Sequence, residues 1–126
     1  MKKIVVLIFL IIGSFQTINS QEKSKKNLIS SGKWYFEYMK FGDNKRLFPE
    51  KTKNENWMLF NKNGKAEITT RGIQSKEEWN YIEKKGIINI TEDGEFTEYI
   101  IKKLNESEFI ISRKYLNKIT TIGLRK

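Results

Sequence analysis

From Lys33 to Arg125 no apolar periodicity of the helical kind lasts for three turns. Strand-length apolar or aromatic segments alternate instead with turn signals. That recurrence limits the fold more than any other feature. Eight segments follow from it: Lys33 to Phe41, Asn56 to Asn61, Ala66 to Arg71, Glu78 to Glu83, Ile87 to Thr91, Phe96 to Leu104, Glu108 to Lys114 and Ile119 to Arg125. Asn63-Gly64 and Asp93-Gly94 are the strongest hairpin signals, because Asn, Asp and Gly tolerate the positive φ that tight hairpins need. A charged loop around Pro49 and a longer connection from Gly72 to Glu78 separate the less tightly spaced pairs.

The reading is an all-β chain: an antiparallel up-and-down meander. Eight short strands escape the liability of exposed edges best by closing on themselves, so a small eight-stranded barrel is the first choice. A small sandwich and a partly open half-barrel are the alternatives. Alternation assigns the inward faces. Trp34, Phe36 and Tyr38 share one face of the first strand, opposite Tyr35, Glu37 and Met39. Trp57 pairs with Leu59, Ile68 with Thr70, Trp79 with Tyr81, and Phe109 with Ile111. In the sixth strand the charges favour Tyr99 and Ile101 as the inner pair.

The N-terminus reads as an address. Met1-Lys2-Lys3 is followed by the apolar run Ile4 to Ile12 and by a polar stretch ending at Ser20, the pattern of a cleaved secretory signal peptide over 1–20. The run is shorter than the about 20 apolar residues that span a bilayer. An uncleaved anchor is the alternative. No cysteine follows it to carry a lipid. Residues 21–27 form a polar lead-in and 28–126 the barrel domain, exported to the periplasm or the extracellular space.

The chain contains no histidine and no cysteine. Imidazole- and thiol-dependent catalysis, thiol or imidazole metal sites and disulfides are thereby excluded. Acid–base work would fall to carboxylates, Lys or Tyr, and the acidic clusters Glu77-Glu78 and Glu92-Asp93-Glu95 read as solubilising loop residues. Asp93-Gly94-Glu95 also lacks the alternating oxygen series of a Ca²⁺ loop. The expectation is therefore a non-catalytic protein without cofactor or metal. The formal net charge of +9 is carried mostly by Lys, with only Arg46, Arg71, Arg113 and Arg125 as arginines. Lys, Ile and Asn share A/T-rich codons, so the excess reads as a solvated background. It implies at most weak attraction to anionic membrane or polysaccharide surfaces, and no nucleic acid. The sequons at Asn89 and Asn105 read as chance matches.

Gly32-Lys33-Trp34, the Asn63-Gly64 hairpin, the Trp79 strand, the Asp93-Gly94 hairpin and the closing Tyr99-Ile100-Ile101…Leu104…Phe109-Ile110-Ile111 follow one another in an order that resembles small bacterial lipocalin-like domain proteins. The resemblance spans Leu28 to Arg125. It implies a lipocalin-like barrel in which Arg125, near the end of the last strand, packs over Trp34 and closes the floor. It also implies a possible cup for a small apolar or amphipathic ligand lined by Trp34, Phe36, Trp57, Trp79, Tyr81 and Tyr99. The same aromatics read first as filled core, with a shallow cup open at one end as the alternative, since a barrel of eight strands is just wide enough for its own side chains or one small ligand. An envelope or secreted protein-interaction module, marked by exposed Tyr35 and Met39, is the alternative to ligand binding.

Overall fold

The structure, a computed structural model, describes residues 25–126. The expected signal peptide and the lead-in up to residue 24 lie outside the described residues. Residues 25–29 are helical, so the end of the lead-in belongs to the folded unit. Nine strands follow: β1 (Trp34–Phe41), β2 (Asn44–Leu47), β3 (Trp57–Phe60), β4 (Lys65–Thr70), β5 (Ile73–Ile82), β6 (Ile87–Glu92), β7 (Glu95–Leu104), β8 (Glu108–Tyr115) and β9 (Lys118–Arg125), with 3-10 segments at Glu50–Glu55 and Glu83–Lys85. Sequential antiparallel pairing runs from β3 to β9, and β1 pairs with both β3 and β9. Eight strands therefore form a closed barrel, and β2 is an extra strand hydrogen-bonded only to the outer half of β1.

Two ends follow from this connectivity. The turns Gly42–Asp43, Arg71–Gly72, Asp93–Gly94 and Leu116–Asn117 gather at one end, the mouth. The turns around Asn63, Lys85 and Glu106, with residues 25–29 and Lys126, gather at the floor. Both central residues of three mouth turns have positive φ: Arg71 and Gly72 at 53° and 78°, Asp93 and Gly94 at 50° and 80°, Leu116 and Asn117 at 47° and 65°. These are the type I′ turns whose twist matches that of the flanking strands. At Asn63-Gly64 only Gly64 has positive φ, and the Asn63 side chain instead accepts a hydrogen bond from the Lys65 amide at 3.0 Å.

Alternation places Trp34, Phe36, Ile68, Trp79, Tyr81, Tyr99, Ile101, Phe109 and Ile111 inside, as the sequence reading has them. It fails in two strands. The β1–β9 register slips between Phe36 and Tyr38, so the bulge at Glu37 turns Tyr38 outward and Met39 inward. On β3 the inner pair is Met58 and Phe60, both buried, and Trp57 lies outside. The Trp57 indole donates to the Asn54 carbonyl at 3.1 Å, with the Lys33 ammonium 4.2 Å from its ring centre. Burial of the indole under a neighbouring cation offsets the loss of the core position.

Two segments differ from the expected lengths. β5 begins at Ile73 rather than Glu78, because its mouth half carries the run Gln74-Ser75-Lys76-Glu77-Glu78 without an apolar face. β2 comes from the stretch read as a charged loop, and all four of its residues are exposed.

Candidate functional site

The lower half of the barrel is filled. Trp34, Phe60, Phe109 and Trp79 pack as a chain of tilted and edge-to-face rings, with centroids 5.3 Å apart for Trp34–Phe109 and Phe60–Trp79 and 6.1 Å for Phe60–Phe109. Such pairs add about 0.5–1.5 kcal/mol each beyond the area they bury. Both core indoles satisfy their N–H groups on the backbone, Trp34 on the Ile29 carbonyl at 3.0 Å and Trp79 on the Asn61 carbonyl at 2.7 Å. Ile29, fully buried, plugs the floor from the helical residues 25–29.

The cation over Trp34 is Lys126, its ammonium 4.3 Å from the ring centre, and not Arg125. Burial lowers the Lys126 pKa below its ordinary value. Arg125 sits one residue earlier on the strand and so points to the outside, where its guanidinium pairs with Glu50. The G-x-W motif has a geometric reason: Gly32 has φ +143°, and a Cβ there would come within 3.3 Å of the Lys126 ammonium.

Above the aromatic floor the inner wall becomes polar. Glu77 on β5, Glu92 on β6, Tyr99 on β7 and Arg113 on β8 continue the inward alternation of four successive strands. Burial, the strongest influence, raises the Glu92 pKa above the usual carboxylate range. The Arg113 guanidinium opposes that rise, Glu77 and Asp93 reinforce it, and the facing Tyr99 hydroxyl opposes it. Burial first and then the Glu92 charge push Tyr99 up to about 12, so its hydroxyl stays protonated. The Arg113 guanidinium lies 5.9 Å from the Tyr99 ring centre.

The same Arg113 reaches the mouth. There a cleft of about 580 Å³ opens between the β1–β2 and β8–β9 hairpins, walled by Phe41, Tyr115, Leu116 and Ile119, with Arg113 and Thr120 at its inner side. Its size falls within the range of small-molecule sites, roughly 300–1,000 Å³. A second cleft of about 320 Å³ opens on the flank, where β1 pairs with β3 over only Trp34 and Tyr35. Phe36, Met39, Phe48 and Thr70 line it. Phe36 and Phe48 meet edge-to-face at 5.3 Å, so the segment after β2 serves as the missing wall.

The six residues expected to line one cup are thus dispersed. Trp34 and Trp79 belong to the packed floor, and Phe36 to the flank cleft. Tyr81 lies low on β5 beside Ile101 and Leu104, Tyr99 lies in the polar layer, and Trp57 is outside. Phe41, Glu92, Arg113, Tyr115 and Ile119 are what the mouth presents instead. Extending the Phe109–Ile111 alternation by two further steps reaches Arg113 and Tyr115, the one sequence signal that marks them. Among the described residues no group of His, Cys, Asp or Glu is arranged to hold a metal ion. No protein-family model, no curated protein and no solved structure matches the chain.

Proposed function

We propose that the protein is an exported, non-catalytic lipocalin-like barrel that takes a small amphipathic molecule at its mouth. The apolar part of the ligand would lie between Phe41, Tyr115 and Ile119, and its polar or anionic head would face Arg113. The observation that carries this reading is the mouth cleft itself: an opening of about 580 Å³ with apolar walls and a guanidinium at its inner side. The Arg113 guanidinium stands 5.9 Å from the Tyr99 ring centre and within the field of Glu92. The Gly-x-Trp strand at the floor supports the lipocalin-like assignment, with a lysine in the place expected for an arginine.

A second reading has its own support. The packed aromatic floor leaves the lower half of the barrel without space for a ligand, as in an interaction module whose core is simply filled. Native mass spectrometry of the protein recovered after export separates the two. The ligand reading expects a bound mass that dissociates on denaturation. It also expects Arg113→Met to weaken titration with a fluorescent fatty acid by about tenfold, the loss of one charge-assisted contact. A bare chain mass together with unchanged titration by Arg113→Met would leave the interaction module as the reading.

A further inference from the structure

Among the described residues, six of the eight large hydrophobic side chains that stand most exposed belong to the mouth. They are Phe41, Ile73, Phe96, Tyr115, Leu116 and Ile119, from 50% to 79% exposed. They come from all four mouth turns: Phe41 ends β1, Ile73 opens β5, Phe96 follows the β6–β7 turn, and the other three surround the β8–β9 turn. The floor turns, Asn61-Lys62-Asn63-Gly64, Glu83-Lys84-Lys85-Gly86 and Asn105-Glu106-Ser107, contribute none. The ligand cleft accounts for Phe41, Tyr115, Leu116 and Ile119, but not for Ile73 or Phe96, which lie across the rim from it.

Leu116 is informative in two ways. It is 79% exposed, and it occupies the first central position of a type I′ turn at φ 47°, where Asn, Asp or Gly is favoured. Neither burial nor backbone preference in the isolated protein accounts for a leucine there. On the side of the β1–β2 and β8–β9 hairpins the charge of this edge is one-sided, whereas the β6–β7 turn opposite carries Glu92, Asp93 and Glu95. Over residues 40–47 and 113–120, Lys40, Lys45, Arg46, Arg113, Lys114 and Lys118 face a single acid, Asp43. None of the six pairs with a carboxylate within 4.0 Å among the described residues.

We propose that the mouth rim docks on an anionic phospholipid surface, with Leu116, Phe96 and Ile73 entering the interface and the cations of the β1–β2 and β8–β9 hairpins meeting the head groups. An up-and-down barrel places alternate turns at one level, so a planar partner touches all four at once. Apolar tips beside lysine and arginine are the pattern that interfacial binding requires, and here the cations stand on the β1–β2 and β8–β9 side, around Leu116. The inference stands without any ligand in the cleft.

The absence of cysteine makes a site-resolved test direct. Leu116→Cys, Phe96→Cys and, at the floor, Asn63→Cys are each labelled with an environment-sensitive fluorophore on the exported protein. Each is mixed with phosphatidylcholine vesicles, with and without phosphatidylglycerol. The proposal expects a blue shift at 116 and 96 on the anionic vesicles and none at 63. It also expects reversal of Lys114 and Lys118 to Glu to weaken binding by at least about tenfold. Circular dichroism confirms that each variant retains its strands. Equal shifts on neutral and anionic vesicles, or no shift at 116 and 96, would overturn it. A shift at 63 alone would place the membrane contact at the floor, where residues 25–29 lie, and would overturn it too. A shift at 116 that grows with protein concentration in the absence of vesicles would assign the rim to a second copy of the chain and refute the lipid surface.

Discussion

The outward turn of Tyr38 has a measurable consequence at Gly123, its cross-strand partner on β9. Ile122 and Leu124 point into the core, so Gly123 faces outward. The Tyr38 ring covers it, and the Lys45 ammonium lies 4.4 Å from the ring centre. A Cβ added at Gly123 would sit 2.1 Å from Tyr38 Cε1, 2.4 Å from Cζ and 2.6 Å from Cδ1. Carbon atoms pack best at about 3.5–4.0 Å, so the overlap is on the order of 1.5 Å and the ring must leave the strand. Overpacking of this kind costs about 1–3 kcal/mol, which for a domain of this size is a fall in Tm of roughly 5–15 °C. With the ring absent, the sign reverses: alanine in a strand is about 0.5–1 kcal/mol better than glycine, because the unfolded chain loses freedom. A double-mutant cycle of Gly123→Ala and Tyr38→Ala, read by urea and thermal unfolding in circular dichroism, therefore expects destabilisation in the parent and slight stabilisation in the Tyr38→Ala background. The same loss in both backgrounds would refute the outward ring and, with it, the bulge at Glu37.

Three other outcomes test the floor, the outer face of β3 and the polar layer. Trp34→Phe removes the donor to the Ile29 carbonyl and leaves that buried acceptor unsatisfied, so a loss of about 1–3 kcal/mol is expected in urea titrations. Trp57→Ala is expected to leave ligand titration unchanged, because the indole lies on the outer face and touches neither cleft. The raised Glu92 pKa means that the folded protein holds this proton more tightly than the unfolded chain does. Its stabilising effect is complete below the ordinary carboxylate pKa and is lost as pH rises through the raised value. Glu92→Gln should therefore raise the neutral-pH Tm and flatten that part of the pH–stability curve; a Gln variant with the parent's pH slope would place the titration elsewhere.

The barrel was legible because its signals are local. Turn residues and a period of two need only neighbours in sequence, and they located eight strands within a few residues, apart from the start of β5. What escaped was decided by distant partners. The Glu37 bulge exists because β1 must keep register with β9 while Tyr38 covers Gly123, and nothing around Glu37 encodes that pairing. Trp57 is a large aromatic on a short strand, where size favours the core. The smaller Met58 and Phe60 fit the space left by Trp34, Trp79 and Phe109, and the indole is displaced outward. Arg125 and Lys126 are adjacent, so alternation alone decides which of them reaches Trp34, and the end of the strand fixes that phase.

The mouth escaped for a different reason. The surface proposed to bind faces water in the free protein, so its residues do not carry the alternation by which a core is recognised. Ser75, Glu77, Glu92 and Arg113 occupy inward positions near the mouth, and each looks like a loop or surface residue when read alone. In sequence, Phe41, Phe96 and Leu116 look like strand-end punctuation. Only closure of the barrel brings the four turns to one end and separates a rim with exposed apolar side chains from a floor edge whose turns have none. The division of labour follows from the packing: the interlocked rings at the floor hold the fold, which frees the opposite end to carry exposed leucine, phenylalanine and isoleucine at a cost the core can bear.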